Sequence, residues 1–316
     1  MQLIRQCHLI IWFIGAGLIY NELKGQGSSS DTLEHFFLRQ WKQNKNLSYA
    51  TYGLASLYFE RGNYKQAMTY AKDNLRTVND FDTACTIIYA RSLEMAGRYG
   101  KAERVYRKAT QCFLHSPDLW LTYGFFLYKL RKYAEAEQAL ETSIRQNPFV
   151  PSAHYLMGYS LLENKNNPAC LQAWLFGLMI DADTLRSADL LRIIYYYVQQ
   201  RYDSIHIPFF GPRLSLKYPD QLFFYNYNPH KFEDFYLQLD IPTFCKQLTE
   251  KITQYKIPTP YSRFYRALAE NDLLETYCYF TFRKLNRKEL KGWYQLNRKK
   301  LEQLAEFLDT QLAKPF

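Results

Sequence analysis

Between residues 48 and 182, apolar and polar positions alternate with the period of an amphipathic α-helix. The helical stretches come in pairs, and a short polar turn separates the two members of each pair. These turns are Arg61-Gly62-Asn63, Gly97-Arg98, Arg131-Lys132 and Lys165-Asn166-Asn167, the last followed by Pro168. Apolar residues that recur every three or four positions form one stripe along a helix, so the pattern predicts four consecutive helical hairpins.

Three series of residues recur through the four hairpins with one common period. A series of small residues has intervals of 35, 34 and 34 positions: Ala55, Ala90, Gly124 and Gly158. A second small series lies twelve positions behind the first: Ala67, Ala102, Ala136 and Cys170. An aromatic series lies three positions ahead of the second and ends before the fourth hairpin: Tyr64, Tyr99 and Tyr133. A period near 34 residues is typical of a two-helix repeat that stacks into a solenoid.

The small residues have a physical role in such a stack. Helices whose axes pack about 8–10 Å apart leave no room for a large side chain at the crossing point. We therefore expect both small series to lie where the two helices of a hairpin cross and where one hairpin meets the next. A single hairpin cannot bury its apolar face alone, so the sequence predicts that neighbouring hairpins stack.

These hairpins resemble the tetratricopeptide repeat. The third carries the family pattern in register: Trp120, Gly124, Leu127, Tyr133, Ala136 and Pro148. The fourth matches least well, because it has His154 where the family prefers Trp. The resemblance covers a little under half of the chain. It implies an all-α fold, a right-handed superhelical solenoid of about four two-helix repeats, and a role in binding proteins or peptides.

The resemblance also implies which residues face a partner. In this family the first helix of each repeat lines the concave face, and the matching positions here are Tyr49, Tyr52, Ile87, Arg91, Leu121, Phe125, Tyr155 and Tyr159. Only Arg91 among them is cationic, so the clamp for a terminal carboxylate known in one subfamily is disfavoured. We expect a protein or peptide with an apolar or aromatic segment instead. The sequence leaves three arrangements open: an open groove, a groove covered by the C-terminal region, and a dimer interface.

Both flanks of the repeats predict helical caps, so the solenoid is expected to span residues 31–204. A helix is predicted from Asp31 to Lys45, and residues 185–203 resemble a degenerate fifth unit in which Arg192 or Ile193 replaces the small residue. The C-terminal region, 205–316, is aromatic-rich and mainly helical, with helices expected near 231–255, 260–283 and 287–313. Before them, residues 205–230 combine prolines with aromatics and are the leading candidate to cover the concave face.

The N-terminus has the pattern of an export signal. Arg5 precedes an uncharged apolar run of twelve residues from Leu9 to Tyr20, and Gly25 and Gly27 supply the small residues of a cleavage site. Spanning a bilayer takes about 20 apolar residues, which this run does not reach. We therefore expect a signal peptide over 1–27 and an exported protein, periplasmic or envelope-associated. The alternatives are an uncleaved anchor, which would associate the chain with a membrane, and an ordinary apolar helix.

The net charge of +10 is compatible with an acidic or phosphate-bearing partner. Part of this positive charge is concentrated near the C-terminus. Residues 283–300 hold eight cations against Glu289 alone. The predicted anion-binding set surrounds a helix start: Arg283, Lys284, Arg287, Lys288 and Lys291. It would dock acidic protein, anionic lipid or nucleic acid, and it defines the alternative function, although nucleic acid is not otherwise favoured as a partner. A solvated basic helix face explains the same residues.

No motif predicts a catalytic, metal or cofactor site. The six histidines are dispersed, and the cysteines have neither zinc-ligand spacing nor a disulfide framework. For Cys85 and Cys112 the sequence leaves both a disulfide and free thiols open. The main prediction is a non-enzymatic scaffold or adaptor of the cell envelope. A hydrolase in the last third is a further alternative, with Asp203, His206 and Arg213 the nearest thing to a site.

Overall fold

The computed structural model describes residues 30–45, 47–72, 80–164, 167–181, 184–200, 239–254, 259–285 and 287–312. All regular secondary structure in these ranges is helical, which confirms the all-α prediction. The helices up to residue 198 are α1 Ser30–Gln43, α2 Ser48–Glu60, α3 Tyr64–Ala71, α4 Asp80–Met95, α5 Tyr99–Cys112, α6 Pro117–Lys129, α7 Tyr133–Gln146, α8 Pro151–Glu163, α9 Asn167–Ile180 and α10 Thr184–Val198. Those beyond are α11 Ile241–Gln254, α12 Ser262–Glu270, α13 Leu274–Thr281, a 3₁₀ turn Arg283–Leu285, α14 Lys288–Leu296 and α15 Arg298–Leu312.

The chain forms two compact units, and each is described by itself. Among the described residues, the first unit contains those up to Leu119, and the second contains those from Trp120 onward. Repeats one and two, with α1, therefore belong to the first unit. Repeats three and four belong to the second unit together with α10 to α15. The predicted boundary between residues 204 and 205 lies outside the described residues.

Three hairpins turn through the same helix C-terminal cap. Gly62 and Gly97 have φ angles of 73° and 72°, and Arg131 has a φ of 59° at the matching position of the third repeat. After each of them, the next amide donates to a carbonyl five residues back, as Asn63 N–H does to Tyr58 O at 2.8 Å. This is the hydrogen bond of a Schellman cap, which needs one left-handed residue. Gly62 and Gly97 adopt this conformation without the steric cost of a Cβ.

The small residues lie at tight helix crossings, as predicted. Ala55, Ala67, Ala90 and Ala102 have no exposed surface. In the third repeat, a Cβ added to Gly124 would come within 2.8 Å of Leu140. In the fourth, a Cβ added to Gly158 would overlap the indole ring of Trp174. Trp174 thus fills the space that a larger residue at 158 would need.

Helix α1 caps the first repeat, close to the predicted bounds. Its Phe37 ring lies so close to Gly53 of α2 that an added Cβ there would come within 2.6 Å of the ring. Glu34 of α1 accepts hydrogen bonds from the Tyr58 hydroxyl and from Arg61. These contacts hold α1 against both ends of the first hairpin, which would otherwise expose its apolar face.

Helix α10 occupies the position of a degenerate fifth unit. Ile193, where a repeat would carry a small residue, is buried at 1% exposure. The helix is followed by Gln200 with a φ of 58°, the same left-handed conformation that ends the first helix of three repeats. A capping helix in this position agrees with the prediction.

The C-terminal region contains more helices than the sequence predicted. The helix expected near 260–283 is interrupted because Asp272 adopts a φ of 54°, and Leu273 N–H then donates to Leu268 O at 2.9 Å. Asp tolerates this conformation better than most residues, which makes a turn without glycine feasible. The helix expected near 287–313 breaks at Asn297, whose side-chain amide donates to Trp293 O. The segment 205–230 proposed to cover the concave face lies outside the described residues.

Within the second unit, the C-terminal helices pack on the last repeat. Helix α9 contacts α10, α11 and α13, and α13 contacts α15. Tyr265 and Tyr277 donate hydrogen bonds to the backbone carbonyls of Gln172 and Leu175 on α9. The C-terminal region is therefore joined to repeat four by polar as well as apolar contacts.

Candidate functional site

In the first unit, the predicted partner-facing residues lie on the neighbouring first helices α2 and α4, which contact each other. Tyr49, Tyr52 and Ile87 are half-buried, as is Ala84 beside them in the repeat pattern. The Tyr49 hydroxyl donates to Gln40 of α1 at 2.9 Å. Burial raises the pKa of Tyr52 above its ordinary value. We call Tyr49, Tyr52, Ala84 and Ile87 the α2–α4 face.

Arg91 does not belong to this face. Only 6% of the residue is exposed, and its guanidinium carbon lies 4.9 Å from the centroid of the Phe59 ring. Burial lowers the pKa of Arg91, whereas nearby Tyr106 and Glu94 favour its charged form. Since Tyr106 also donates to Glu94 at 2.6 Å, these groups form an interior polar cluster. The expectation that Arg91 would be accessible to a partner is corrected.

The predicted groove residues of the second unit are interior as well. Leu121, Phe125, Tyr155 and Tyr159 are at most 1% exposed. The Tyr155 hydroxyl donates to Asp181 at 2.6 Å, and the Trp174 indole donates to the Tyr155 carbonyl at 3.2 Å. The Tyr159 ring packs edge-on against Trp174 with centroids 5.4 Å apart.

These contacts explain the burial of Tyr155 and Tyr159 in repeat four. Repeat position placed them on the partner-facing side, but the large rings of repeat four turn inward because Gly158 and Gly177 leave room for Trp174 and Tyr155. Of the three arrangements that the sequence left open, the open groove is contradicted at all four groove positions of the second unit. Peptide binding by the remaining members of the set stays a prediction.

The predicted anion-binding set is divided by the structure. Arg283 donates to the carbonyls of Met179 at 2.8 Å and Phe280 at 3.1 Å. Arg287 donates to Leu239 O at 2.7 Å and makes two hydrogen bonds to Glu289. These two guanidiniums hold the C-terminal region together, a role that the sequence pattern did not reveal. Lys288 and Lys291 are exposed, and the side chain of Lys284 lies outside those described.

His154 joins repeat four to the C-terminal region. It has no exposed surface, and its Nε2 lies 2.8 Å from Pro148 O while its Nδ1 lies 2.9 Å from the Tyr261 hydroxyl. A carbonyl only accepts, so Nε2 carries the proton and Nδ1 accepts from Tyr261. Burial lowers the pKa of His154 to about 4. The neutral imidazole is therefore a structural link between repeat four and the C-terminal region.

The structure also describes the cysteines, the possible metal ligands and the apolar helices. Cys85 is buried and Cys112 exposed, and both are free thiols. Among the described residues, no group of three or more His, Cys, Asp or Glu is arranged to hold a metal ion. No helix in these ranges combines the length and apolar character needed to cross a membrane. Asp203, His206 and Arg213 lie outside the described residues.

Comparison with known proteins identifies the repeats. Residues 93–158 match the family model of the tetratricopeptide repeat. No curated protein matches the chain. Among solved structures, MamA is similar with 16% identity over 51% of this chain and 92% of its own, at a TM-score of 0.42. The C-terminal part of a repeat-containing protein from Cytophaga hutchinsonii is similar with 15% identity over 87% of this chain and 98% of its own, at a TM-score of 0.46.

The matched range runs from the end of α4, through repeat three, to the middle of α8. It includes the Schellman-type turns at Gly97 and Arg131 and the tight crossing at Gly124. The hairpin geometry and the family model therefore agree on the same residues. Residues 93–158 of this chain are therefore tetratricopeptide repeats.

Proposed function

We propose that this protein is a non-enzymatic scaffold that binds an apolar or aromatic segment of another protein on the α2–α4 face. Tetratricopeptide repeats generally mediate contacts between proteins, which gives the coarse function. The finer proposal depends on one observation: Tyr49, Tyr52 and Ile87 are half-buried side chains on two helices that touch. Aromatic rings that retain exposed surface on a rigid support are efficient contact residues, because little conformational entropy is lost on binding.

The chemistry of the face favours an uncharged ligand segment. Its four members are two tyrosines, an alanine and an isoleucine, and the nearest cation of the predicted set, Arg91, is buried. An acidic tail would therefore find no exposed cation among the face residues. A segment with aromatic or branched apolar side chains would bury its surface against Tyr52 and Ile87, and the tyrosine hydroxyls would orient it.

The location of this activity is part of the proposal. The signal-like residues 1–27 support export, and we propose that the scaffold acts in the periplasm or at the envelope. Fractionation of cells that produce the full chain, compared with a chain lacking 1–27, tests this point. Recovery of both forms from the same compartment would contradict the export role of the segment.

Site-specific photo-crosslinking tests the binding proposal. A photoreactive phenylalanine analogue at Tyr52 or Ile87 should crosslink to partner segments that are apolar or aromatic, identified by mass spectrometry. The matched control is the same analogue at Thr69 of α3, an exposed position. Equal capture at Thr69 and Tyr52 would show that the α2–α4 face has no special role.

Substitution then measures the contribution of the face to affinity. For the segment identified by crosslinking, we expect Tyr52→Ala to weaken binding by about 2 kcal/mol, or about 30-fold, as is typical of a central aromatic contact. Thr69→Ala should leave the affinity within about twofold. An unchanged Kd for Tyr52→Ala in a folded protein would remove this function.

A further inference from the structure

Helix α5, the second helix of repeat two, has a basic outer face. Ala102, Tyr106 and Ala109 are buried on its inner side, which packs on α4. The opposite side exposes four cations: Lys101, Arg104, Arg107 and Lys108. At 3.6 residues per turn, Lys101, Arg104 and Lys108 fall on one stripe, because they are separated by three and four positions. We call these three residues the α5 stripe.

Within the part of the chain that the structure describes, the α5 stripe is not neutralised. Glu103 is the only carboxylate of this helix, and it pairs with Arg107 at 3.0 Å. Among the described residues, no carboxylate forms an ion pair with Lys101, Arg104 or Lys108. The Nε of Arg104 donates only to the Gly100 carbonyl at 3.3 Å. The cations are therefore arranged for a partner outside the chain.

The stripe is a property of this repeat and not of the repeat fold. Counting from Tyr99 and Tyr133, the positions of Lys101, Arg104 and Lys108 correspond to Glu135, Gln138 and Thr142 in α7. Counting from Tyr64, the first two correspond to Gln66 and Thr69 in α3. Helix packing needs no charge on this side, since α3 and α7 form the same hairpins without it.

The composition of the face favours an extended anionic surface over a peptide. The remaining exposed residues on this side of α5 are Gly100, Gln111 and Cys112, so no large apolar side chain is present to anchor a peptide segment. From Lys101 to Lys108 the helix advances about 10 Å, and all three side chains of the stripe are exposed. Such a row can touch a flat layer of anionic headgroups along its whole length.

We propose that the α5 stripe docks the protein on the surface of a membrane that contains anionic phospholipid. Near such a surface each basic residue strengthens binding by about fivefold at physiological salt. The stripe faces away from α4, so docking leaves the α2–α4 face available to a partner. The inference does not depend on the proposed function, because it concerns different residues and a different ligand.

Vesicle sedimentation with the full chain tests this inference. Vesicles of phosphatidylcholine with about one-third phosphatidylglycerol are compared with pure phosphatidylcholine, which reports any binding by the apolar N-terminal residues. We expect Lys101→Gln/Arg104→Gln/Lys108→Gln to lower partitioning onto the anionic vesicles by about 100-fold, the product of three fivefold contributions. Binding of the unchanged protein should also weaken steeply between 50 and 300 mM salt.

The control is Lys42→Gln/Lys45→Gln/Lys246→Gln, which removes the same charge from exposed positions outside the predicted anion-binding set. Its partitioning should fall by less than about fivefold. Equal losses of vesicle binding in both variants would show that only net charge matters. Unchanged vesicle binding by the α5 variant would show that the stripe does not dock the protein. Either result overturns the proposal. In a third outcome, the protein binds a single-stranded oligonucleotide or polyglutamate more tightly than vesicles and loses that binding in the α5 variant. This result would overturn the proposal in favour of another polyanion. Melting curves confirm that the surface substitutions leave the fold intact.

Discussion

Tyr265 and Tyr277 occupy, in the hairpin α12–α13, the two positions at which the repeats have small residues. Aligning the left-handed Asp272 with Gly62 places Tyr265 at the position of Ala55 and Tyr277 at that of Ala67. Their ring centroids are 5.7 Å apart and nearly perpendicular. The C-terminal region therefore contains a hairpin with the turn of a repeat and an aromatic pair at the crossing.

The first prediction concerns one of the two hydroxyls of this pair, both of which donate to α9. Tyr277→Phe removes the donor to Leu175 O, a 3.0 Å bond in a fully buried site, without changing the packing of the ring. We expect the free energy of unfolding to fall by about 1–2 kcal/mol, because a buried carbonyl loses a partner. Urea denaturation measures it. Tyr99→Phe, at a residue that is 51% exposed, should change it by less than about 0.5 kcal/mol.

The second prediction separates backbone conformation from packing at two nearby glycines. Gly97 has a φ of 72° and Gly100 lies inside α5, and an added Cβ would meet nothing within 4 Å at either. Gly97→Ala should lower the unfolding free energy by about 1 kcal/mol, whereas Gly100→Ala should raise it by up to about 1 kcal/mol. Thermal melting of both variants checks the opposite signs. Changes of the same sign would contradict the role of the left-handed cap.

The third prediction follows from the arginine that takes a glycine's place. Arg131 adopts a φ of 59° and is exposed. Arg131→Gly should stabilise the protein by about 0.5–1 kcal/mol, because glycine relieves the strain of a left-handed residue. The greater freedom of glycine in the unfolded chain offsets part of this gain. Chemical denaturation checks the gain. A less stable Arg131→Gly protein would mean that the side chain contributes more than the strain costs.

The fourth prediction concerns pH. Burial lowers the pKa of His154 to about 4, below the ordinary value of 6.5, so between these pH values the unfolded chain binds more protons than the folded one. The contribution of His154 to stability is then full above pH 6.5 and declines as the pH falls towards 4, by at most about 3 kcal/mol. Unfolding free energies from pH 4.5 to 7.5 should show this slope in the unchanged protein. His154→Gln should have a shallower slope over the same window, and parallel curves would contradict the assignment.

The fifth prediction tests the tight crossing in repeat four. A Cβ on Gly158 would overlap the Trp174 ring, which is fully buried. Gly158→Ala should lower the unfolding free energy by about 1–3 kcal/mol, the usual cost of overpacking. Gly292→Ala is the control, since nothing lies within 4 Å of its added Cβ. A fluorescence shift of Trp174 in the first variant alone would place the strain at the indole.

Sequence periodicity predicted the repeats because each of their features is local or recurs at a fixed interval. The left-handed turn at Gly62 and the close crossing at Gly124 follow from residue type and spacing alone. The hairpin α12–α13 escaped notice because Asp272 replaces the glycine and tyrosines replace the small residues. Its turn is visible only in the backbone conformation.

The candidate site was harder to predict than the fold. Repeat position correctly grouped Tyr49, Tyr52 and Ile87 on touching helices, but accessibility depends on contacts between distant residues. Tyr155 is interior because its hydroxyl reaches Asp181, 26 positions away. Arg283 holds a carbonyl 104 positions away, so charge density along the sequence could not distinguish it from exposed Lys288.

The contacts of α9 with α10, α11 and α13 limit where further repeats could be added to this solenoid. In an open-ended stack, the outer side of the last second helix is where one more hairpin would be added. Here that side is already occupied, and its backbone carbonyls at Gln172 and Leu175 accept hydrogen bonds from tyrosines. A longer relative of this protein would therefore have to gain its extra repeats ahead of Pro151, leaving the terminal assembly unchanged.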